Sequence, residues 1–360
     1  MNIDLIGKGQ VQGTFAHMAV NDRLEPGSMR PFVAEDGKAY ISVFKGGANI
    51  PANYEVRPVS NATLRRDEWK QLDEAVLKVS DQRLGGVADL RAAGLTFNIG
   101  NALGTTVLEW HDSSDAMNAS LTMDGITKSD NDRPTFQYNY LPLPIIHVDY
   151  EINSRALAAS RNMGNPLDTI SAERAAFKIN LKLEEMLFTD TDYAFGETDS
   201  RSRNKIYSYL NHPDRNQVTL DANWDASGKT GAQIVADVIE MVQSAVNARH
   251  FGPYHLYIPT AYQTKLSEDY SSTKGNNTIR ERILQIEGVN KITIVDTLTD
   301  DNIILVQMTS DVVRLVNGLP IQNVEWKAEG NFITKYKVIT IQVPQIRSDV
   351  DGRSGIVHMS

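Results

Sequence analysis

The sequence predicts a mixed α+β chain without internal repeats. Apolar residues recur at helical spacing in three separate stretches, near residues 64–84, 168–189 and 230–249. Short continuous apolar runs and long alternating runs lie between and after them, and such runs are typical of buried and half-buried strands. In one further segment, residues 104–146, apolar and polar side chains alternate on either side of a polar centre. This pattern indicates a two-stranded ribbon.

The composition is that of a folded protein, and it excludes several kinds of function. The 360 residues are 41% hydrophobic and 22% charged, with a mean hydropathy of −0.33. Wholesale disorder is therefore excluded, and the length fits about two domains. Thirty-six basic and 45 acidic residues give a net charge of −9, which disfavours a dedicated nucleic-acid binder because such a chain repels phosphate. The absence of cysteine excludes disulfides, thiol nucleophiles and thiolate metal sites.

Targeting signals are not evident in the sequence. The N-terminus lacks a basic segment followed by an apolar one, so no signal peptide is expected. No run approaches the roughly 18 apolar residues that cross a bilayer. We therefore expect the chain to be made and kept in the cytoplasm, with no membrane partner.

An extended arm followed by a helix is expected in the first part of the chain. Residues 1–60 are rich in Gly, Pro and Asn, which predicts an arm docked on another part of the molecule. Residues 64–84 carry apolar side chains at helical spacing: Trp69, Leu72, Val76 and Val79. The expected N-cap of this helix is Thr63, and Gly85 and Gly86 are its expected stop.

A long ribbon with a solvated tip is predicted for residues 104–146. Polar residues 124–132 form its centre. The alternating apolar positions on the two sides are Ala119, Leu121, Met123, Phe136, Tyr138 and Tyr140. Because an isolated two-stranded ribbon is only marginally stable in water, we expect this one to pack against another chain.

A strand at residues 141–152 and a second strong helix capped by Asp168 are expected next. The expected buried face of this helix is Ala172, Ala176, Ile179, Leu183 and Leu187. Further apolar positions widen that face, so the helix should pack on more than one side: Ile170, Phe177, Leu181 and Phe188.

The second half of the chain is expected to combine a third helix with several strands. After a loop-rich stretch at residues 190–228, a helix from Thr230 to Arg249 should bury Ile234, Val238, Met241, Val242 and Ala245. Buried strands are predicted at 254–258, 291–295 and 303–306, with a polar helical stretch at 278–286 and long β segments over 312–343.

The motifs that could carry chemistry are individually weak. Residues 227–230 (SGKT) lack the second glycine of a phosphate-binding loop, because Asn223 stands at that position. His147 and Asp149 share one face of a strand without a third metal ligand, so a structural histidine is the favoured interpretation. The acidic run near residues 129–132 lacks the glycine and terminal glutamate of a calcium loop.

The search for a catalytic site therefore identifies no residues. The sequence has no nucleophile elbow and no pair of acids suited to general acid–base chemistry. The remaining histidines are scattered singly, at positions 17, 111, 212, 250, 255 and 358. We expect no enzymatic activity, no cofactor and no metal.

The order of the elements resembles that of encapsulin-like shell proteins. The resemblance begins at residues 63–75 (TLRRDEWKQLDEA) and continues through 141–153 (LPLPIIHVDYEIN) and 156–161 (ALAASR). Residues 173–188 (ERAAFKINLKLEEMLF) are similar to that family's long helix, which ends in a Glu-Glu-x-x-Phe-like turn. Further similar stretches lie at 251–260, 292–295 and 302–307, with a matching β pattern over 311–342.

This resemblance implies the Hong Kong 97 phage-type capsid fold. The implied parts are an N-terminal arm (1–62), an extended loop (104–146), a peripheral domain (63–103, 147–190 and 312–346) with a spine helix at about 168–189, and an axial domain (191–311 and 347–360).

Two functions are consistent with this resemblance. Some 60 residues precede the first helix, and the loop and axial regions are longer than in encapsulins. These differences favour the major capsid protein of a tailed bacteriophage, a virion component made in the host cytoplasm. Such a subunit would assemble with itself into hexamers and pentamers, enclose double-stranded DNA without sequence-specific binding, and meet a portal and decoration or scaffolding proteins. The alternative is an encapsulin-type compartment that encloses a protein cargo.

Specific contact residues are predicted on the ribbon. We expect Trp110, Phe136, Tyr138 and Tyr140 to lie against a neighbouring chain, the alternative being that they cover the core of their own subunit. A lysine-to-asparagine cross-link between subunits is known in the resembled fold, and Lys128 is the only lysine in the loop, so it is a candidate; a solvated turn lysine is the other interpretation.

Overall fold

A computed structural model describes the fold over most of the chain. The described residues are 31–44, 54–58, 64–65, 68–72, 85–100, 103–113, 123, 136–153, 155, 170–191, 193–195, 205–271, 277–299, 301–327 and 333–360. The α-helices with both ends in these ranges are α1 (Gly85–Ala92), α2 (Ile170–Phe188), α3 (Gly231–Asn247) and α4 (Ile279–Leu284).

Strands make up most of the remaining regular structure. In chain order they are β1 (Phe32–Val33), β2 (Ala39–Phe44), β3 (Tyr54–Pro58), β4 (Thr96–Asn98), β5 (Val107–Ser113), β6 (Phe136–Pro142), β7 (Ile146–Asn153), β8 (Asn216–Val218), β9 (Tyr254–Pro259), β10 (Val289–Val295), β11 (Ile303–Gln307), β12 (Val313–Lys327), β13 (Ile333–Ile346) and β14 (Ile356–Met359).

Two larger sheets organise the molecule. The first has the order β4-β12-β13-β7, with β4 parallel to β12 and the other pairs antiparallel. The second has the order β10-β9-β11-β14-β8. Strands β1 to β3 form a small antiparallel sheet, and β5 pairs with β6 to form a ribbon. The predicted mixture of helices and strands is therefore confirmed.

Helix α2 packs across β7 and β13 of the first sheet. All five residues of its predicted face are fully buried: Ala172, Ala176, Ile179, Leu183 and Leu187. Phe188 is fully buried as well, while Phe177 and Leu181 are half-buried and Ile170 is exposed. The helix thus buries more than one side towards its C-terminal end, as predicted, but not at its start. The predicted cap, Asp168, lies outside the described residues.

The second sheet is covered on both faces. Tyr257, Ile304 and Val306 point into the core that contains α2. Leu256 and Leu305, which alternate with them along the same strands, point into a second core beneath α3 and α4. Because successive side chains of a strand point to opposite faces, burial on both sides requires continuous apolar runs. This confirms the buried strands predicted at 254–258 and 303–306. The strand predicted at 291–295 is present but not fully buried, because β10 lies at the edge of the sheet, where Lys291 is exposed and Thr293 and Ile294 are half-buried.

Helix α3 confirms the third helix of the sequence analysis. Thr230 caps its N-terminus through a capping box with Gln233, in which each side chain bonds the other residue's backbone N–H. Its fully buried residues match the predicted face at Ile234, Val238, Met241 and Ala245, whereas Val242 is half-buried.

The predicted stop at Gly85 and Gly86 is wrong, because these glycines begin α1. Because these glycines have no side chain, α2 can pack closely against them; they do not end a helix. Leu187 and Phe188 at the end of α2 lie directly against Gly86, and the backbone N–H of Gly86 donates to the Glu184 carboxylate at 3.0 Å. A hydrogen bond to a residue 98 positions further along the chain therefore stabilises the start of this helix.

The arm residues that the structure describes dock on the first core. Phe32 is buried in that core, the Val33 backbone N–H donates to the Leu64 carbonyl at 2.9 Å, and the Trp69 indole N–H donates to the Pro31 carbonyl at 2.9 Å. Residues 68–72 are helical, as predicted. The predicted start at residue 64 is wrong, because Leu64 and Arg65 are not helical and Arg65 forms a β-bridge with Val33. Most of residues 1–62 lies outside the described ranges.

The close approach of α1 and α2 leads to the first prediction. A Cβ added at Gly86 would lie 2.5 Å from Cε2 of Phe188, so Gly86→Ala should lower the free energy of unfolding by about 1–3 kcal/mol through overpacking. Thermal or urea unfolding followed by tryptophan fluorescence measures the change.

Gly100→Ala is the matched control, because a methyl group added at that position meets open space. Its effect should stay within about 0.5 kcal/mol. Equal stabilities for the two variants would contradict the role assigned to Gly86.

Candidate functional site: a two-faced ribbon and a buried polar junction

Strands β5 and β6 form a ribbon whose two faces differ. The antiparallel register pairs Val107 with Pro142 at one end and Ser113 with Phe136 at the other. Because directly opposed residues point to the same side of a ribbon, the register sorts the side chains into two sets. The predicted two-stranded ribbon is confirmed over these residues; between them, only Met123 is described, and it is fully exposed.

The inner face of the ribbon lies on its own subunit. Leu141 is buried in the first core, and Leu108 and Trp110 pack against it. Asp112 on the same face accepts a hydrogen bond from the Arg347 guanidinium at 3.2 Å and one from the Asn139 amide. Both members of the Asp112–Arg347 ion pair are largely shielded from water. These contacts hold the base of the ribbon firmly against the body.

The outer face of the ribbon presents aromatic rings to the exterior. Phe136 is 63% exposed and Tyr138 is 49% exposed. The His111 ring lies 4.4 Å from the Tyr138 ring, measured between centroids, and Tyr140, on the same face, is half-buried. A contiguous exposed patch of this kind is typical of an interaction surface.

The register thus separates the four predicted contact residues. Trp110 lies on the inner face and contributes to the core of its own subunit, which was the alternative interpretation. Phe136, Tyr138 and Tyr140 lie together on the outer face. Their contact with a neighbouring chain stays a prediction, and Lys128 lies outside the described residues.

A buried polar junction, which no sequence pattern predicts, joins α2 to the start of α1. Glu184 of α2 is only 6% exposed, and one of its carboxylate oxygens accepts the Gly86 N–H at the start of α1. Burial raises the pKa of Glu184 to about 7, although the backbone N–H groups of Gly86 and Val87 oppose this rise. The negative charges of Asp89 and Asp296 raise it further.

Asp89 is the second acid of this junction and is 3% exposed. It accepts hydrogen bonds from the Lys291 ammonium and, at 2.7 Å, from the Thr293 hydroxyl, and His255 Nδ1 lies 3.6 Å away. Burial alone would raise the pKa of Asp89, but the nearby His255 ring and the hydrogen bonds from Lys291 and Thr293 outweigh it and hold the pKa below its usual value. Since no short motif contains these residues, only the fold brings them together.

The motifs considered in the sequence have ordinary structural roles. Lys229 is buried against Asp237 at 2.8 Å, and Asp237 also accepts a hydrogen bond from the Trp224 indole, so this lysine is committed to an ion pair. His147 is half-exposed and lies 3.6 Å from Asp149, so its nearest charged neighbour is the carboxylate on the same face of its strand.

The described ranges contain neither a cluster of metal-binding side chains nor a membrane-spanning helix. In those ranges, no three His, Cys, Asp or Glu side chains converge closely enough to chelate a metal by themselves. None of the described helices is long and apolar enough to cross a membrane.

Two buried histidines lie together around Arg215 in the second sheet. The Arg215 Nε–H donates to His358 Nδ1 at 3.3 Å, and His358 Nε2 lies 2.7 Å from the Asn302 amide oxygen, an arrangement that fits a neutral ring. Burial lowers the pKa of His358 to about 4, and the positive Arg215 adds to this shift. Burial likewise lowers the pKa of His212 to about 4.

Solved structures of capsids and of a virus-like particle align with most of this chain. A virus-like particle from Pyrococcus furiosus aligns with a TM-score of 0.56 at 18% identity, over 81% of this chain and 99% of that one. The capsid of Myoviridae phage XM1 aligns with a TM-score of 0.57 at 10% identity, over 77% and 92%. The capsid of a native GTA particle aligns with a TM-score of 0.54 at 12% identity, over 76% and 90%.

The chain therefore has the Hong Kong 97-type capsid fold, which confirms the predicted fold class. At the level of sequence, residues 59–359 match the model of a family described as a family of unknown function, DUF6260, and the chain belongs to that family. No curated protein matches the chain.

The buried histidines lead to the second prediction. The neutral form is favoured in the folded state, so stability is fully present above the unfolded pKa of about 6.5 and is lost as the pH falls towards 4. For His358 the loss at pH 5 amounts to about 2 kcal/mol relative to pH 7.5. His358→Gln, which retains hydrogen-bonding groups, should therefore reduce the acid sensitivity of unfolding by about this amount.

Urea unfolding of both proteins at pH 7.5 and pH 5.0 measures the effect. At pH 7.5 the wild-type ring is neutral in both states, so the quantity compared is the stability that each protein loses between the two pH values. If acid destabilised the variant as much as the wild type, the role of His358 would be excluded.

Proposed function

We propose that this protein is the subunit of a closed icosahedral shell that it builds with copies of itself. Its role is structural rather than catalytic. The single observation that carries the proposal is the outer face of the ribbon, where Phe136 and Tyr138 are exposed on a fold shared with capsid proteins.

The physical argument concerns where the ribbon can be stabilised. Its inner face rests on the body through Trp110 and the Asp112–Arg347 ion pair. Its outer face holds aromatic rings that stay in water in the isolated subunit. Burying the exposed parts of these rings against a second copy favours association in proportion to the apolar area removed from water.

We further propose that the shell is the capsid of a tailed double-stranded DNA bacteriophage. Hexamers and pentamers would form its wall, with a portal, and decoration or scaffolding proteins, as additional partners. The net charge of −9 suits a container that confines DNA by geometry rather than by tight binding. The small sheet of β1 to β3, which precedes the first helical residues, also fits a capsid subunit with a substantial N-terminal arm.

An encapsulin-type compartment with a protein cargo is the second candidate. The aligned region includes 99% of the chain of the Pyrococcus furiosus virus-like particle, so nearly the whole of that chain has a counterpart in this one. Electron cryomicroscopy of the protein expressed alone separates the two candidates through particle diameter and nucleic-acid content. Large shells or tubes with hexamers favour the capsid, whereas uniform small shells built only of pentamers favour the compartment.

The third prediction tests the outer face directly. Replacing both Phe136 and Tyr138 by serine should leave the subunit folded but raise the protein concentration needed for assembly at least about tenfold, because losing about 1.4 kcal/mol per contact weakens association tenfold. Light scattering against protein concentration, together with electron microscopy, measures assembly.

Trp110→Leu provides the contrast on the inner face of the same ribbon. It should lower the free energy of unfolding by about 2 kcal/mol because it removes part of the core of its own subunit. Assembly of the Phe136/Tyr138 double variant at wild-type concentrations would argue against the outer face as the contact surface.

The fourth prediction concerns the reach of the ribbon. Ser113 and Phe136 are register partners, so replacing residues 114–135 by Asn-Gly should close a two-residue hairpin without disturbing the strands. We expect a soluble, folded subunit that forms no closed shells, as judged by circular dichroism and electron microscopy. Normal particles from this variant would contradict an intersubunit role for the ribbon beyond residue 113.

A further inference from the structure

A cavity of about 90 Å³ lies where α2, the start of α1 and the end of β10 meet. It is far larger than the roughly 10–15 Å³ that one water molecule requires on this measure, so it has room for an ion with several waters. Its lining combines apolar walls with oxygen-bearing side chains: Gly85, Phe177, Leu181, Glu184, Ile294, Asp296 and Thr297.

Two of the lining oxygens are buried without a partner. Glu184 uses Oε1 for the Gly86 N–H, but its Oε2 has no hydrogen-bond partner among the described residues. The hydroxyl of Thr297 is likewise buried and unpaired within the described ranges. An unsatisfied buried polar atom costs roughly 1–3 kcal/mol, and more when it is charged, so both atoms favour a ligand that they can bind.

The charges around the cavity indicate the sign of that ligand. Glu184 and Asp296 both line it, and Asp89 is close enough to act on Glu184. The Lys291 ammonium is bound to Asp89 rather than to Glu184. Asp296 accepts a hydrogen bond from the Thr260 hydroxyl, which leaves its negative charge uncompensated by that contact. The cavity is therefore bordered by carboxylates whose mutual repulsion a cation would relieve.

We propose that this cavity binds a hydrated divalent cation, Ca²⁺ or Mg²⁺, through the carboxylates of Glu184 and Asp296 and the hydroxyl of Thr297. Hard cations select oxygen ligands of this kind, and Mg²⁺ in particular is commonly held by one or two carboxylates with several waters completing its shell. This explains why a site with only two protein carboxylates suffices.

The position of the site gives the ion a structural consequence. Glu184 belongs to α2, while Asp296 and Thr297 follow β10 at the edge of the second sheet. A bound cation would cross-link the long helix to that sheet and stabilise their junction. Because the ion binds the folded state and not the unfolded chain, its concentration should raise the melting temperature.

Thermal unfolding tests the proposal. Protein freed of metals by a chelator is placed in chelator-free buffer at pH 8, where Glu184 is mainly ionised, and titrated separately with CaCl₂ and MgCl₂. We expect a saturable rise in melting temperature with at least one ion, and no such rise with NaCl at equal ionic strength. Isothermal titration calorimetry with the same ions gives the stoichiometry, expected to be one ion per subunit.

Matched variants assign the effect to the cavity. Glu184→Gln keeps an acceptor for the Gly86 N–H but removes the charge, and it should abolish the rise. Glu185→Gln changes the neighbouring, half-exposed carboxylate, which pairs with Lys182 at 3.0 Å, and should retain the rise. Should Glu184→Gln fail to fold, Asp296→Asn at the open side of the cavity decides the question.

Two results would overturn the cation site. One is a wild-type melting temperature that responds to divalent ions no more than to NaCl. The other is an equal response in the wild type and in a folded Glu184→Gln or Asp296→Asn variant. Neither result bears on the shell proposal, since assembly is measured separately.

Discussion

The contact between the end of α2 and the start of α1 is the interaction on which most of the fold depends. Phe188 occupies the space that a side chain at Gly86 would fill. Its ring also packs on Tyr209 and Tyr257, with centroids 5.4 Å and 5.0 Å away. A single aromatic residue thus joins the first helix, the long helix and the second sheet. Because protein interiors are packed as densely as organic crystals, these elements have little freedom to shift independently.

The same junction places two carboxylates in the protein interior, where burying a charge costs free energy. Asp89 is stabilised there because the Lys291 ammonium and the Thr293 hydroxyl donate hydrogen bonds to it, whereas Glu184 retains an unsatisfied oxygen. A buried carboxylate of this kind contributes little to net stability, and the polar cavity beside it offers a physical reason for its presence. The ribbon is stabilised differently. Its inner face packs against its own subunit, and its outer face remains exposed and available to a partner.

Sequence patterns predicted those elements whose stability is local or whose burial is periodic. The faces of α2 and α3, the buried strands of the second sheet and the ribbon all have regular apolar spacing. Helix α1 was missed because Gly85 and Gly86 usually end helices, and here a carboxylate 98 positions away stabilises its start. The junction was missed for a related reason. Asp89, Glu184, His255 and Lys291 share no spacing, and only the tertiary fold makes them neighbours.

The position of β14 sets the order in which the second sheet can be completed during folding. This strand, at residues 356–359, lies between β11 and β8, and all four of its residues are buried. Until it inserts, β8 and β11 each present an unpaired edge, and such edges readily recruit strands from other chains. Subunits that meet before β14 is in place would therefore be prone to associate through these edges.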